Sequence, residues 1–340
     1  MSTRVRELSK DAAGLAVIEM ANDQLRVLVT NYGCRIMQLW APDREGRMAD
    51  VVLGVHTPAE YETDTAALGA VVGRVANRIG GACFCLNGRD YPLYANDGPN
   101  TLHGGRVGYH DRIFSYEIVE NGVRLTYLSP DGEEGFPGNL TLTVDYLLEG
   151  NCLKLIYEAV SDQDTLVNIT NHSYFNLTGG ETQIYGHELR VKADQVAEAD
   201  DHCLVTGVMR DVTDTAFDFR EYHTIGERID WEDALLQGAG GYDHAYILKD
   251  EPDQIDLYEP VSGRCLTIST SLPSVQVYSG NFLGGGPAGK SGRPYEKRDG
   301  IALETQYLPN AIHVQKDPQV ILKKGKRYHA ETSWNFTVRS

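Results

Sequence analysis

Residues 114–128 read Phe114-Ser115-Tyr116-Glu117-Ile118-Val119-Glu120-Asn121-Gly122-Val123-Arg124-Leu125-Thr126-Tyr127-Leu128, two β-rich runs joined by an Asn-Gly pair. Aromatic and β-branched residues favour strands, and Asn-Gly tolerates the positive φ of a two-residue hairpin turn. This segment therefore predicts an antiparallel hairpin.

The same pattern extends in both directions along the chain. Asn87-Gly88 joins residues 82–86 to 90–93, and residues 140–146 pair with 152–157 across Glu149-Gly150-Asn151. Only two short stretches, 58–62 and 231–236, predict helices. Short strands at this spacing favour a large all-β fold, an antiparallel sandwich or barrel with very little helix.

Composition limits the possible ligands. The 340 residues carry a formal net charge of -17, which argues against nucleic acid, an anionic membrane surface or a phosphorylated substrate and favours a neutral small molecule. The chain begins without an apolar segment, so we expect a cytoplasmic protein that does not cross a membrane. No linker divides it, which predicts one domain over 1–340. The six cysteines lack Cys-x-x-Cys spacing and are expected to be free thiols.

Three strand-like segments carry polar groups where a buried strand would be apolar. If residues 169–177 are extended, His172, Tyr174 and Asn176 share one face. Glu304 lies on the polar face of a strand over 301–306, and Gln276 on that of 274–278. Taken alone, each fits an ordinary structural explanation. The strand with His172 could be half-buried with satisfied polar groups, and the strand with Gln276 could belong to a sheet with one wet face. Glu304 could lie in water on a surface strand or form an ion pair with an arginine.

Loop residues add further polar groups. His103 precedes Gly104-Gly105, which permit close backbone approach, and Asp243 lies where a loop enters a strand. Arg74 and Arg78 could each be explained by a partner carboxylate. Together these groups suit a polyhydroxylated neutral ligand, and a carboxylate with an imidazole can perform acid–base chemistry near neutral pH. The residues alone leave the reaction open.

Six stretches resemble the aldose 1-epimerases, also called galactose mutarotases, in the same order along nearly the whole chain. They are Gly73-Arg74-Val75-Ala76-Asn77-Arg78-Ile79, Leu86-Asn87-Gly88, Asn96-Asp97-Gly98-Pro99-Asn100-Thr101-Leu102-His103-Gly104-Gly105, Thr170-Asn171-His172-Ser173-Tyr174-Phe175-Asn176-Leu177, Gly241-Tyr242-Asp243-His244 and Leu303-Glu304-Thr305-Gln306. The resemblance implies a β-supersandwich, no metal or organic cofactor, and interconversion of the α and β anomers of free aldoses.

By this resemblance three residues are catalytic. His172 would protonate the ring oxygen, Glu304 would remove the proton of the anomeric hydroxyl, and His103 would assist near the ring oxygen. The residues that match positions holding sugar hydroxyls are Asn77, Arg78, Tyr174, Asp243 and Gln276.

The sequence departs from the family's usual pattern after Glu304. Pro309-Asn310-Ala311-Ile312-His313 stands where Pro-Asp-Ala-Pro-Asn is usual, which leaves the conformation of this loop open. A non-catalytic sugar-binding or sensor module and a hexose-phosphate epimerase are the alternative functions. A glycosidase is a weaker one, since it needs two carboxyl groups at a defined separation. The preferred aldose, the oligomeric state and the pathway are not fixed by these residues.

Overall fold

Strands dominate the computed structural model, which describes residues 2–339; Met1 and Ser340, the ends of the predicted domain, lie outside the described residues. In chain order the strands are β1 (Arg4–Lys10), β2 (Ala16–Ala21), β3 (Arg26–Thr30), β4 (Ile36–Pro42), β5 (Met48–Asp50), β6 (Val71–Val72), β7 (Arg78–Ile79), β8 (Cys83–Leu86), β9 (Arg89–Pro92), β10 (Thr101–Leu102), β11 (Ser115–Val119), β12 (Gly122–Ser129), β13 (Leu140–Glu149), β14 (Cys152–Ser161), β15 (Thr165–Leu166), β16 (Thr170–Asn171), β17 (Tyr174–Phe175), β18 (Glu188–Val191), β19 (Ala193–Ala199), β20 (Val205–Asp211), β21 (His223–Thr224), β22 (Asp243–Leu248), β23 (Ile255–Tyr258), β24 (Arg264–Thr270), β25 (Ser274–Tyr278), β26 (Ile301–Gln306), β27 (Ile321–Leu322) and β28 (Arg327–Val338).

Helices are short. The described chain has α-helices α1 (Ile225–Arg228), α2 (Ala234–Ala239) and α3 (Ala311–Val314), and 3₁₀ turns at Pro58–Thr63, Gly80–Ala82, Tyr109–Asp111, Glu133–Gly135 and Ile184–Gly186. The helix predicted over 58–62 is confirmed as a 3₁₀ turn. The one predicted over 231–236 is wrong at its start, because Asp233 caps α2 by accepting a hydrogen bond from the Leu235 N–H. Between residues 2 and 339 no helix has the length and hydropathy to span a bilayer.

Three large sheets form the body of the fold. Their strand orders are β11-β12-β13-β14-β28-β24-β23-β18-β21, β17-β26-β25-β22-β19-β20 and β1-β2-β3-β4-β5. Neighbouring strands in all three are antiparallel. One hydrophobic cluster contains side chains from all three sheets. The predicted antiparallel β architecture with very little helix is therefore confirmed.

The longest hairpin shows why these sequences pair as they do. Leu142, Val144 and Tyr146 of β13 are fully buried, and the residues between them face the other side of the sheet. Val144 lies opposite Tyr157 of β14, whose apolar residues alternate in the same way. Because a shift of one residue would move every apolar side chain to the other face, this alternation fixes the register.

The turns follow the predicted chemistry with one correction. Asn87 and Gly88 both have positive φ, as a two-residue turn between β8 and β9 requires. In the hairpin of β11 and β12 the loop is Glu120-Asn121, and Gly122 is already in the strand. A Cβ at Gly122 would overlap the Tyr146 carbonyl oxygen, so the glycine is needed for strand approach and Asn121 alone takes the positive φ.

A fully buried arginine ties the loop over 64–68 to the start of β4. Arg35 donates to the Asp64 carboxylate at 2.7 Å, to the Leu68 carbonyl at 3.0 Å and to the His110 carbonyl at 3.1 Å. The side chains of Arg35 and Asp64 are 0% and 1% exposed. The six cysteines are unpaired, as predicted.

We expect Arg35→Met to lower the free energy of unfolding by about 3–5 kcal/mol, because it leaves the Asp64 carboxylate buried without its partner. Urea unfolding of the two proteins measures this. Glu45→Gln, which removes the carboxylate of an exposed pair with Arg47, is the control and should leave the midpoint unchanged. Equal shifts for both variants would contradict the assignment.

Candidate active site

Four neighbouring strands place polar side chains in two adjacent rows on one face of the six-stranded sheet. Pairing across β17, β26, β25 and β22 aligns two rows of side chains. The first row is Tyr174, Ala302, Tyr278 and Asp243. The second row, two residues further along β26, β25 and β22, is Glu304, Gln276 and Ala245. Because side chains directly opposite in a sheet lie on the same face, four separate sequence segments converge here. The predicted faces of Glu304 and Gln276 therefore meet in one place.

Glu304 is buried, with 2% of its surface exposed. One of its carboxylate oxygens, Oε2, has no hydrogen-bond partner among residues 2–339. A surface strand with Glu304 in water, one of the structural explanations, is thus wrong. A buried carboxylate without full hydrogen bonding is the kind of group that functional sites retain.

His172 lies in a break between β16 and β17, whereas the sequence predicted one extended run. Its N–H donates to the Ala70 carbonyl at 2.7 Å and its carbonyl accepts from the Gly69 N–H at 3.1 Å, so the backbone bonds to a neighbouring loop instead of continuing the strand. His172 and Tyr174 still face the same cavity. Asn176 does not: its amide donates to the carbonyls of Thr182 and Asp299.

His103 is held by a reciprocal pair of hydrogen bonds with Asn77. The His103 N–H donates to the Asn77 carbonyl at 3.1 Å, and the Asn77 N–H donates to Nδ1 of the imidazole at 3.2 Å. Both residues have positive φ. An accepting Nδ1 carries no proton, so the neutral ring holds its proton on Nε2. A Cβ at Gly104 would overlap the Gly73 carbonyl, which explains the glycine that follows His103.

Arg78 and Arg74 have different roles. Arg78 forms an ion pair with Asp97 at 2.7 Å, as expected for an arginine with a partner carboxylate. Arg74 instead donates to backbone carbonyls such as that of Pro137 at 2.9 Å, and among the described residues it has no carboxylate partner. The Asn310 N–H donates to the Arg78 carbonyl, so the loop that departs from the family pattern supports Arg78 from behind.

A cavity of about 420 Å³ collects these groups. Its lining residues are Asp64, Thr65, Ala66, Ala67, Asn77, Arg78, Asn96, Asp97, Leu102, His103, His110, His172, Tyr174, Asp243, Tyr278, Phe282, Leu283 and Glu304. Gln276 is the predicted site residue that does not line it. Its amide donates to Asp243 at 2.7 Å, so it orients Asp243 from within the sheet.

Several lining residues were missed by the sequence analysis. Tyr278 could have been found, because it shares a strand face with Gln276. Phe282 is 67% exposed at the cavity and follows four residues later. Asp64 and His110 come from loops whose positions depend on the buried Arg35, and no local pattern indicated them.

Burial controls the charge of the two central groups. His172 Nε2 lies 3.5 Å from Glu304 Oε1. Burial lowers the pKa of His172 to about 4. Burial raises the pKa of Glu304 well above its usual value; the Asp243 carboxylate adds to this rise, and Arg78 opposes it. Burial therefore favours a neutral pair, with the carboxyl proton on Glu304 and His172 uncharged.

The same groups resemble a metal-binding cluster but do not fit one. Among the described residues, donor atoms of His103, His172 and Glu304 lie within 4.8 Å of one another. A metal bound through Nε2 of a neutral imidazole requires the proton on Nδ1. The Asn77 N–H already points at Nδ1 of His103. The site is thus arranged to present a proton donor at His103 Nε2 rather than a metal ligand.

Comparison with known proteins identifies relatives over nearly the full length. The family model for aldose 1-epimerase matches residues 16–335. A galactose mutarotase of Sus scrofa is 40% identical, with 98% of this chain and 97% of that protein covered. An aldose 1-epimerase of Escherichia coli K12 is 32% identical, with 97% of each covered. A galactose 1-epimerase structure from Lactobacillus acidophilus superimposes with a TM-score of 0.86 at 28% identity, covering 100% of both chains.

We expect Asp243→Asn to lower the pKa of Glu304, because it removes the carboxylate that adds to its rise. Carbon-detected NMR titration of the free protein, with the Glu304 signal assigned by its loss in Glu304→Gln, measures this change. Replacing the exposed Asp317 by Asn is the control and should not move the titration. An unchanged or higher pKa in Asp243→Asn would contradict the electrostatic account.

Proposed function

Because the chain belongs to the aldose 1-epimerase family and acts as a mutarotase, we propose that His172 and Glu304 are the acid–base pair that opens and recloses the sugar ring. The observation that carries this proposal is the 3.5 Å separation of His172 Nε2 and Glu304 Oε1 inside the cavity. The anomeric hydroxyl and the ring oxygen are bonded to the same carbon. Two groups this close can therefore reach both oxygens at once.

The proposed step moves two protons and breaks one bond. Glu304 takes the proton of the anomeric hydroxyl while His172 gives a proton to the ring oxygen, and the bond between C1 and the ring oxygen breaks to leave an open-chain aldehyde. After rotation about C1–C2, closure on the other face reverses both transfers. The protein thus returns to its starting protonation state without an outside proton donor.

Productive binding must favour the ionised form of Glu304. Burial opposes this form, and Arg78 is the group that stabilises it. A hydroxyl of a bound sugar can donate to Glu304 Oε2, which has no hydrogen-bond partner among residues 2–339. We therefore propose that sugar binding shifts the shared proton from Glu304 toward His172.

The remaining predicted residues divide into contacting and positioning groups. We propose that His103 donates from Nε2 near the ring oxygen and that Asn77, Arg78, Tyr174 and Asp243 hold other hydroxyls. Tyr174 also packs on His172, with ring centroids 4.9 Å apart. For Gln276 we replace the proposed sugar contact with a positioning role, because its amide is bonded to Asp243.

The charges of the cavity support a neutral aldose of the galactose or glucose type. Asp64 is paired with Arg35 and Asp97 with Arg78, whereas Asp243 and Glu304 form no ion pair with a lysine or arginine among the described residues. The carboxylates of Asp243 and Glu304 would repel a phosphate group in the cavity, which disfavours the hexose-phosphate epimerase. The names of the relatives point to galactose as the first sugar to test.

We also propose that the protein is a single domain that works in the cytoplasm on free hexoses, including those of galactose metabolism. All three large sheets contribute to one core cluster, and the unpaired cysteines suit a reducing compartment. Nucleic acid and membrane partners are disfavoured by the net charge of -17.

We expect Glu304→Gln to reduce the mutarotation rate by about 10²–10⁴-fold, because it removes the proton acceptor while keeping the shape of the side chain. Polarimetry of freshly dissolved α-galactose measures the rate. Glu117→Gln, at an exposed position of β11, is the control and should keep full activity. An undiminished rate in Glu304→Gln would overturn the proposed base. Sugar binding by the wild type without any acceleration would favour the sugar-binding module.

We expect galactose 6-phosphate to be a poorer substrate than galactose by at least about tenfold, the effect of roughly 1.4 kcal/mol of unfavourable charge interaction. NMR exchange spectroscopy between the two anomers measures both rates under the same conditions. Faster exchange of the phosphorylated sugar would instead support the hexose-phosphate epimerase.

A further inference from the structure

A second cavity, of about 300 Å³, lies outside the candidate active site and shares no lining residue with it. Its walls come from β4, β5, the segment 52–56, residues 176–180 and the segment 290–299. They include Gln38, Trp40, Asp50, His56, Lys290 and Arg293. The proposed acid–base reaction uses none of these residues.

The charges of this cavity are balanced. Lys290 forms a 2.6 Å ion pair with Asp50 and also donates to the Val52 carbonyl at 2.7 Å. Arg293 forms a 2.8 Å ion pair with Asp299. With each cation matched by a carboxylate, neither an anion nor a cation gains a net attraction.

Hydrogen-bond donors nevertheless remain for a ligand. A lysine ammonium has three donors, and the described residues accept two of those on Lys290. Arg293 donates hydrogen bonds to the described residues only from Nη1, so its other N–H groups remain for a ligand. The Gln38 side-chain oxygen accepts from Trp40 Nε1, which leaves the Gln38 NH₂ group for the cavity. The cavity therefore offers N–H donors without a protein acceptor next to charges that are already paired. Hydroxyl oxygens of a neutral ligand can accept hydrogen bonds from such donors.

An aromatic wall and a fixed loop complete the cavity. Trp40 is half-buried along one side, and apolar C–H faces of a sugar ring pack well on an indole. The Tyr295 hydroxyl donates to the Gly54 carbonyl at 2.8 Å and accepts from the Gly54 N–H at 3.0 Å. These bonds hold the 290–295 segment against the body of the protein, so the protein's own contacts fix this wall of the cavity.

We propose that this second cavity binds a neutral polyhydroxylated ligand, one sugar ring or a polyol of similar size, stacked on Trp40 and hydrogen-bonded by Gln38, Lys290 and Arg293. The proposal goes beyond the mutarotase function and does not depend on it, because binding here requires no proton transfer at His172 or Glu304.

Tryptophan fluorescence can test this proposal, since the candidate active site has no tryptophan in its lining. Titration with galactose should change the emission saturably. Trp40→Leu should abolish the change, because the other two tryptophans, Trp231 and Trp334, line neither cavity. Arg293→Ala, which keeps Trp40, should weaken apparent binding by about tenfold through loss of charged hydrogen bonds. Trp231→Phe and the neighbouring Lys297→Ala are controls and should bind as the wild type does.

Three results of the galactose titrations would overturn the proposal. They are no saturable change in the wild type, a change that persists in Trp40→Leu, or affinity that Arg293→Ala leaves intact. If Trp40→Leu fails to fold, the comparison of Arg293→Ala with Lys297→Ala still decides. Titration with inorganic phosphate tests the ligand class, and tighter binding of phosphate than of galactose would contradict a site for neutral ligands.

Discussion

The candidate active site depends on one constraint: an imidazole and a carboxylate lie 3.5 Å apart and are both buried. Burying an ionised group is unfavourable unless a partner or hydrogen bonds compensate it. Here the compensation is incomplete, since Glu304 Oε2 and His172 Nδ1 lack partners among residues 2–339. Burial therefore favours the uncharged form of both groups, with the proton on Glu304 rather than on His172.

Such a pair can persist only if the surrounding fold over-determines its geometry. Glu304 is fixed by pairing of β26 with β25, and His172 by backbone bonds to Ala70 and Gly69. Asn171 reinforces this turn by donating to the Gly69 carbonyl and accepting from the Ser173 N–H. Long antiparallel sheets provide the stability, and the irregular backbone between β16 and β17 provides the direction in which the imidazole points.

Local patterns predicted the parts of this arrangement that depend on neighbouring residues in sequence. Asn87-Gly88 predicted a hairpin because it meets a local dihedral requirement, and alternation placed Glu304 on the polar face of its strand. Alternation cannot tell which face another sheet will cover, so the burial of Glu304 became visible only in the fold. The break at His172 and the positions of Asp64 and His110 depend on long-range bonds, including those of Arg35. The roles of individual residues came from the family resemblance, not from the patterns.

The two cavities of this protein differ in how completely ion pairs and hydrogen bonds compensate their buried charged groups. In the second cavity Lys290 and Asp50 are 2.6 Å apart and each has further hydrogen bonds. Burial lowers the pKa of Lys290 and raises the pKa of Asp50, and the ion pair between them opposes both shifts. In the first, the imidazole and the carboxylate are farther apart and each retains an atom without a partner. A well-compensated pair can orient a hydroxyl but has little tendency to exchange a proton with it. In the proposed mechanism, the pair in the first cavity gains hydrogen bonds when a sugar binds, and the same hydroxyls then exchange protons with it. Two cavities lined by similar residue types can thus differ in chemistry because of a few unpaired atoms.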